Sequence, residues 1–150
     1  MDASITVVAS DLVPAAVELA ARNAARLGAS VETRVGDLWS VLAAGERFDL
    51  IVSNPPYVSD AEYAELERSV RDYEPPTALR GGRDGLDFVR RIAAEASSRV
   101  LPGGLLLVEI GWKHGAQARE LFVGSEWAAV ELIRDDEGHD RVLAAVRASV

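Results

Sequence analysis

Residues 48–57 of the chain have the sequence FDLIVSNPPY, a mostly apolar run that ends in Asn54-Pro55-Pro56-Tyr57. A continuous run of this kind is typical of a strand that is buried on both faces of a parallel sheet. Each proline fixes φ and removes a backbone N–H donor, so we expect the strand to end in a stiff loop. Ligands of open α/β sheets bind at the carboxyl ends of the strands. The stretch therefore predicts such a sheet, with the Asn54–Tyr57 loop at its ligand-binding edge.

Strand-like and helix-like patterns alternate outward from this stretch. Upstream, Pro14 suits the first turn of a helix, and apolar residues recur at helical spacing until Gly28 ends it. Downstream, Ser59 and Glu62 form a capping-box pattern for a short helix over residues 60–68. Strands separated by crossover helices predict a Rossmann-like α/β fold with parallel pairs. The predicted strands are 4–10, 31–35, 48–53, 105–110, 128–133 and 141–147, and the other predicted helices are 86–100 and 116–123.

Three connections carry predictions of their own. A polar turn over residues 134–140 joins the last two strands, which predicts a C-terminal antiparallel hairpin. Residues 101–104, Leu-Pro-Gly-Gly, predict a turn. Residues 71–85 contain two consecutive prolines and three glycines and predict a loop, which we interpret as a flexible cover of the active site. A phosphate-binding loop is disfavoured there, because it would follow a strand and carry Gly-Lys-Ser/Thr.

The composition describes one soluble globular domain over residues 1–150 and excludes several kinds of function. A net charge of −8 counts against a broad contact with nucleic-acid phosphates, and the absence of cysteine excludes thiolate zinc sites and cysteine nucleophiles. His114 and His139 are far apart in sequence and are expected at the surface, without a metal. No apolar run reaches the roughly 20 residues of a membrane span, and the N-terminus lacks a signal-peptide pattern. We therefore expect a cytoplasmic protein.

The Asn-Pro-Pro-Tyr loop has the functional groups needed to hold a planar amino group. The Asn54 side chain offers a carbonyl acceptor beside backbone carbonyls, and together they could accept both hydrogens of an –NH2 group. The Tyr57 ring could stack on the same plane. The alternative is an ordinary turn in which Tyr57 covers the core. The position at the end of a buried strand favours the functional interpretation.

Asn-Pro-Pro-Tyr after an apolar strand resembles the amino-group methyltransferases that use S-adenosylmethionine. Longer segments resemble more specifically the HemK-like family, which methylates the glutamine of peptide chain release factors. These segments are RDYEPPTALRGGRDGLDFVRRI at residues 71–92, LPGGLLLVEIGW at 101–112 and HDRVLAAVR at 139–147. The resemblance extends from about Asp2 to Arg147, which is nearly the whole chain.

The resemblance implies a cofactor and a set of site residues. S-adenosylmethionine would be the cofactor, with Asp11 accepting hydrogen bonds from its ribose hydroxyls. Asp37 would lie near the adenine amino group and Leu38 against the adenine ring. Asn54–Tyr57, including both prolines, would form the catalytic and substrate-binding loop, and Asn54 would also adjoin the cofactor. The implied protein partner is a peptide chain release factor.

The sequence departs from the family pattern near its beginning. The family carries a glycine-rich cofactor segment on a first, central strand, and a small helical domain usually precedes that strand. Residues 1–150 contain no Gly-x-Gly, so we expect an N-terminally truncated methyltransferase domain. In the strand order 3-2-1-4-5, the missing strand would lie between the strands that end at Asp11 and Ser53. We expect those two strands to pair directly, and we expect Val13, where the family has a capping serine, to leave the following helix without a side-chain cap.

These observations support one functional hypothesis and two alternatives. The first is methyl transfer from S-adenosylmethionine to the side-chain amide nitrogen of a release-factor glutamine. A methyltransferase acting on an exocyclic amine of a nucleic acid would use the same acceptors, but the charge of −8 counts against it. A catalytically dead interaction fragment would account for the missing glycine-rich segment. The sequence makes no prediction of the oligomeric state.

Overall fold

The computed structural model describes residues 5–149, and the chain divides into two compact units, Met1–Glu46 and Arg47–Val150. The elements of the first unit are β1 (Val7–Asp11), α1 (Pro14–Leu27), β2 (Val31–Val35) and a 3-10 turn at Leu38–Val41. Those of the second are β3 (Phe48–Ser53), α2 (Asp60–Glu65), α3 (Arg68–Arg71), α4 (Pro76–Leu79), α5 (Asp87–Arg99), β4 (Val100–Glu109), α6 (Gly115–Glu120), β5 (Trp127–Arg134) and β6 (Asp140–Arg147).

The first unit is a parallel strand pair with a helix packed on it. β1 and β2 pair in register from Val7 opposite Val31 to Asp11 opposite Val35, and α1 contacts both strands. Pro14 lies in the first turn of α1, and Gly28 ends the helix in the left-handed conformation at φ 66°. Val13 provides no side-chain cap, as its residue type predicts.

The second unit is built on a four-stranded mixed sheet of order β3-β4-β6-β5. β3 and β4 are parallel, and β6 pairs antiparallel with both β4 and β5. The predicted C-terminal hairpin is therefore confirmed, with its second strand inserted next to β4. The hydrophobic core lies between α5 and this sheet, and its fully buried side chains include Val89, Ile92, Leu106, Val108 and Leu143.

Much of the predicted element order is confirmed, including the bounds of β2 and β3 and the Ser59–Glu62 capping box at the start of α2. Two connections were predicted wrongly. Residues 101–104 lie within β4 as a bulge, since Phe48 pairs with Val100 but Leu50 with Leu105, and the ladder to β3 continues on either side. Residues 71–85 are not a continuous loop, because Pro76 begins the short helix α4.

Two further expectations concerned β3, and both were wrong. Leu50 and Val52 keep 52% and 68% of their surface exposed, so β3 is not buried on both faces. The described β3 has one hydrogen-bonded neighbour, β4, and the described β1 pairs with β2 and not with β3. A long connection permits a direct β1–β3 pairing but contributes no free energy to it. No helix among residues 5–149 has the length and apolar character needed to cross a membrane.

Candidate functional site

The Asn54–Tyr57 loop begins directly after β3, at the carboxyl end of that strand. Asn54 is exposed, so its side-chain carbonyl and amino group are accessible, whereas Pro55 is buried. The two prolines have no N–H, so the loop has few backbone donors with which to fix its own shape. Its conformation must therefore depend on contacts made by Tyr57 and by the residues that follow.

Tyr57 is anchored by a carboxylate at the end of the neighbouring strand. Its hydroxyl donates a hydrogen bond to Glu109 Oε1 at 3.1 Å, and Glu109 is the last residue of β4. Burial raises the pKa of the Tyr57 hydroxyl, and the hydrogen bond and negative charge of Glu109 raise it further, against a smaller lowering by Arg141. The hydroxyl therefore stays protonated and remains a donor at neutral pH.

The residues after Tyr57 are tied by backbone hydrogen bonds to the segment that follows α4. Val58 N–H donates to Leu79 O at 2.9 Å, and Gly81 N–H donates to Val58 O at 2.8 Å. Asp60 N–H donates to Gly82 O at 2.9 Å. The first two bonds form a parallel bridge between Val58 and Arg80, within the segment that was expected to be a flexible cover.

Glycine is required where this segment approaches the loop. A Cβ on Gly81 would lie 2.8 Å from both Pro56 O and Tyr57 Cα. Gly85 has φ +77°, and a Cβ there would lie 2.4 Å from Tyr57 O and 2.5 Å from His114 Cε1. The two glycines therefore let one stretch of backbone pack directly on another, which any larger residue would prevent.

His114 lies against the same group of residues. The backbone N–H of His114 donates to Gly111 O at 2.8 Å, and the imidazole ring lies close to Gly85 and Gly111. The Nδ1 atom is buried and has no hydrogen-bond partner among the described residues. His114 is therefore part of the packing around the Tyr57 loop, and its expected position as a surface residue was wrong. His139 is half-buried, and its ring contacts the Trp112 ring in a tilted arrangement at a centroid distance of 5.0 Å.

The residues predicted to hold adenosine lie in the first unit. Asp11 is exposed at the end of β1, its Oδ1 accepts a hydrogen bond from Val13 N–H at 2.7 Å, and its backbone oxygen accepts one from Gly36 N–H at 3.0 Å. Asp37 precedes the 3-10 turn, and its N–H donates to Ser40 Oγ at 3.0 Å. The Asp11–Gly36 bond brings the carboxyl ends of β1 and β2 together.

Leu38 has an unusual backbone conformation for its residue type. Its φ is +46°, and no other described residue except glycine has a positive φ. A left-handed conformation at a branched apolar residue costs on the order of 1 to 3 kcal/mol and is concentrated at functional sites. Arg34 holds the residues that follow Leu38 by hydrogen bonds. Its guanidinium donates to both Glu46 carboxylate oxygens, at 2.7 and 2.9 Å, and to Val41 O.

The predicted site residues thus fall into two groups. Asp11, Asp37 and Leu38 belong to the first unit, and Asn54–Tyr57 to the second. Sequence reasoning did not single out Glu109 or Arg141, and it expected His114 at the surface. Glu109 and Tyr57 are 52 positions apart, and only the parallel pairing of β3 and β4 brings them together.

Comparison with known proteins agrees with this architecture. Residues 1–71 match the family described as Methyltransferase small domain. A crystal structure of a methyltransferase from Pyrococcus furiosus aligns with a TM-score of 0.70, at 21% identity, over 95% of this chain and 63% of that one. The fold is thus that of the class I methyltransferases.

Sequence comparison with curated proteins gives a more specific similarity than the fold does. The release factor glutamine methyltransferase of Koribacter versatilis is 41% identical over 137 residues, which are 91% of this chain and 48% of that protein. A solved protein-(glutamine-N5) methyltransferase (release factor-specific) from Alicyclobacillus acidocaldarius is 25% identical, with a TM-score of 0.52, over 95% of this chain and 80% of that one. The chain is therefore similar to release factor glutamine methyltransferases over most of its length, and it spans about half the length of the curated relatives it matches.

Proposed function

We propose that this chain carries the amide-binding loop and the adenosine-binding residues of a methyltransferase. The reaction would move a methyl group from S-adenosylmethionine to the side-chain amide nitrogen of a glutamine in a peptide chain release factor. The observation that carries the proposal is the exposed Asn54 in a braced Asn-Pro-Pro-Tyr loop at the carboxyl end of β3. Similarity to release factor glutamine methyltransferases over 91% of the chain supports the choice of substrate.

The loop suits the chemistry of an amide nucleophile. Amide nitrogen is a weak nucleophile, because its lone pair is delocalised into the carbonyl group. The Asn54 side-chain oxygen and the Pro55 carbonyl would accept the two amide hydrogens and orient the nitrogen toward the methyl group. Both acceptors also favour the positive charge that develops on nitrogen during transfer. Catalysis would then consist mainly of positioning and electrostatic stabilisation, with no general base needed before transfer.

The first unit would supply the cofactor contacts. The Asp11 carboxylate would accept hydrogen bonds from the ribose diol, Asp37 would lie near the adenine amino group, and Leu38 would pack on the adenine ring. The carboxylate of Asp11 is exposed at a strand end, which is the usual position for a ribose-binding acid. The strained backbone of Leu38 supports a functional role for that residue. Bound S-adenosylmethionine would supply the activated methyl group.

The partner follows from the substrate. A release factor is a protein of translation termination, so we place the reaction in the cytoplasm. The net charge of −8 favours a protein substrate over a nucleic acid, whose phosphates would be repelled.

The direct test is methyl transfer from radiolabelled S-adenosylmethionine, at millimolar concentration, to a purified release factor. A release factor with the target glutamine replaced by glutamate is the substrate control, and duplex DNA and transfer RNA are the competing substrates. We expect label on the release factor alone. Label on a nucleic acid would support the alternative methyltransferase, and cofactor binding or release-factor binding without any transfer would support the dead interaction fragment.

Asn54→Ala tests the role of the loop. Turnover should fall about 100-fold with little change in cofactor affinity, because the lost acceptor acts on the substrate amide. Asn23→Ala makes the same chemical change at an exposed position of α1 and should leave turnover unchanged. Equal turnover of Asn54→Ala and the parent under saturating cofactor would refute the assignment of the loop.

A further inference from the structure

The end of β4 provides a carboxylate for the loop that follows β3. Ser53 is opposite Val108 in the parallel β3–β4 ladder, so Glu109 lies one residue beyond the end of that pairing. From there its Oε1 accepts the Tyr57 hydroxyl at 3.1 Å. The register of two neighbouring strands therefore determines where the Tyr57 ring is held.

Glu109 lies beside a charged pair that involves the first residues of β6. It pairs with Val142 in the antiparallel β4–β6 ladder, and Ile110 N–H donates to Arg141 O at 2.9 Å. The Arg141 guanidinium donates to Asp135 Oδ2 at 3.0 and 3.2 Å. The pKa of Arg141 is raised mainly by that bond to Asp135, and to a smaller extent by the negative charges of Asp135 and Glu109. We call the hydrogen-bonded pair of Tyr57 and Glu109, together with the adjoining ion pair of Arg141 and Asp135, the Tyr57 anchor.

The anchor matters because the loop has so few other constraints. Pro55 and Pro56 lack N–H donors, so the first backbone hydrogen bond donated after Asn54 that holds the loop comes from Val58. Within the described stretch from Asn54 to Val58, the Tyr57 hydroxyl is the side-chain donor that forms a hydrogen bond to another element. A hydrogen bond to an ionised acceptor is stronger than one to a neutral group, which suits an anchor.

We propose that Glu109 is a positioning residue for the amide-binding loop, acting through the Tyr57 hydroxyl. It does not touch the substrate in this scheme. The carboxylate fixes the Tyr57 ring, and the ring fixes the direction in which the Asn54 and Pro55 acceptors point. The catalytic consequence rests on the proposed function, whereas the effect on loop geometry does not.

Nuclear magnetic resonance tests the geometric part on the 150-residue chain without any activity. The chain has three tyrosines, so the Tyr57 ring carbon next to the hydroxyl can be assigned and titrated. Glu109→Gln should lower the pKa of Tyr57 toward its ordinary value, because the negative charge is removed while an oxygen acceptor remains. Glu109→Ala should also shift the side-chain amide resonances of Asn54. Glu131→Gln, an exposed carboxylate on β5, is the matched control and should change neither signal.

Kinetics test the catalytic part. Glu109→Ala should lower kcat about tenfold while the KM for S-adenosylmethionine stays the same, because the loop is misdirected and the adenosine contacts are intact. Glu109→Gln should recover part of that loss. The double variant Tyr57→Phe, Glu109→Ala should be no slower than the slower single variant, since both changes break one contact.

The outcomes separate this proposal from the proposed function. A parent chain that transfers no methyl group to a release factor contradicts the proposed function, while the two resonance measurements still decide the role of Glu109. An unchanged Tyr57 titration in Glu109→Gln, together with unshifted Asn54 resonances in Glu109→Ala, would overturn the positioning role. Turnover losses that multiply in the double variant would also overturn the positioning role.

Discussion

The close approach of Gly85 to the Tyr57 loop can be tested by one added methyl group. Gly85→Ala combines two costs, a left-handed φ of +77° and a Cβ that would lie 2.4 Å from Tyr57 O. The first cost is about 1 to 2 kcal/mol, reduced by roughly 0.4 to 1 kcal/mol because alanine also restricts the unfolded chain. The second resembles overpacking of a core, about 1 to 3 kcal/mol. Together they predict a loss of about 2 to 4 kcal/mol.

Two other glycines separate these costs. Gly138 has φ +83° but open space around its Cβ position, so Gly138→Ala should lose only about 0.5 to 1 kcal/mol, from φ alone. Gly81 has no positive φ, yet its Cβ would lie 2.8 Å from Pro56 O and Tyr57 Cα. Gly81→Ala therefore measures the steric cost by itself, which we expect to exceed about 1 kcal/mol.

Equilibrium urea denaturation followed by tryptophan fluorescence gives the three free energies. A chain of this length loses about 2 to 4 °C in Tm for each kcal/mol, so Gly85→Ala should melt roughly 5 to 15 °C below the parent. Asn54 side-chain resonances should move in Gly85→Ala and Gly81→Ala but not in Gly138→Ala. Equal stabilities of Gly85→Ala and Gly138→Ala, within about 0.5 kcal/mol, would refute the inferred packing of Gly85 on the loop.

Four further predictions concern the cofactor, the surface and the sheet edge. Calorimetry on the 150-residue chain should show that S-adenosylmethionine binds at least 100-fold more weakly than it binds to a relative with the glycine-rich segment. The reason is that each lost hydrogen bond costs about 1 kcal/mol. A low-micromolar dissociation constant would contradict this prediction. The hydrogen bond from Lys113 lowers the pKa of Glu62 to about 2, so its stabilisation is present above the ordinary glutamate value and is lost as the pH falls through about 2. A carboxyl-carbon titration should show that pKa rising in Lys113→Met, and an unchanged value would exclude Lys113 as its cause. Leu38→Gly should leave the free energy of unfolding equal to that of the parent or higher by up to about 1 kcal/mol, while the affinity for adenosine falls. A clear loss of stability in thermal melts would disprove backbone strain at that position. Val52→Lys on the exposed face of β3 should reduce self-association in light scattering more than Val123→Lys, an equally exposed control, and equal effects would exclude β3 as the association site.

The elements that the sequence predicts well are those with a local physical cause. Pro14 and Gly28 bound α1 through their own backbone restrictions, and the Ser59–Glu62 box begins α2 through hydrogen bonds three residues apart. The apolar run of β3 gives its bounds correctly for the same reason. None of these depends on a distant part of the chain.

The errors arise where the outcome depends on distant pairing. Pro102 and two glycines predict a turn locally, but β3 continues the ladder on both sides of them and the residues become a bulge in β4. The exposure of Leu50 and Val52 depends on what packs on their face of β3, and the apolar pattern contains no information about that. Short apolar runs indicate a strand more reliably than they indicate its neighbours.

The site shows why a four-residue motif identifies a chemistry without determining its geometry. Two prolines make Asn54–Tyr57 stiff, but they also remove the donors with which a loop usually fixes its orientation. The missing constraints come from elsewhere in the chain: a hydroxyl acceptor at Glu109, backbone partners at residues 79–82, and a close backbone contact at Gly85. The long similarity to the family beyond the motif therefore has a physical basis, because the residues that direct the amide acceptors are spread over more than 50 positions.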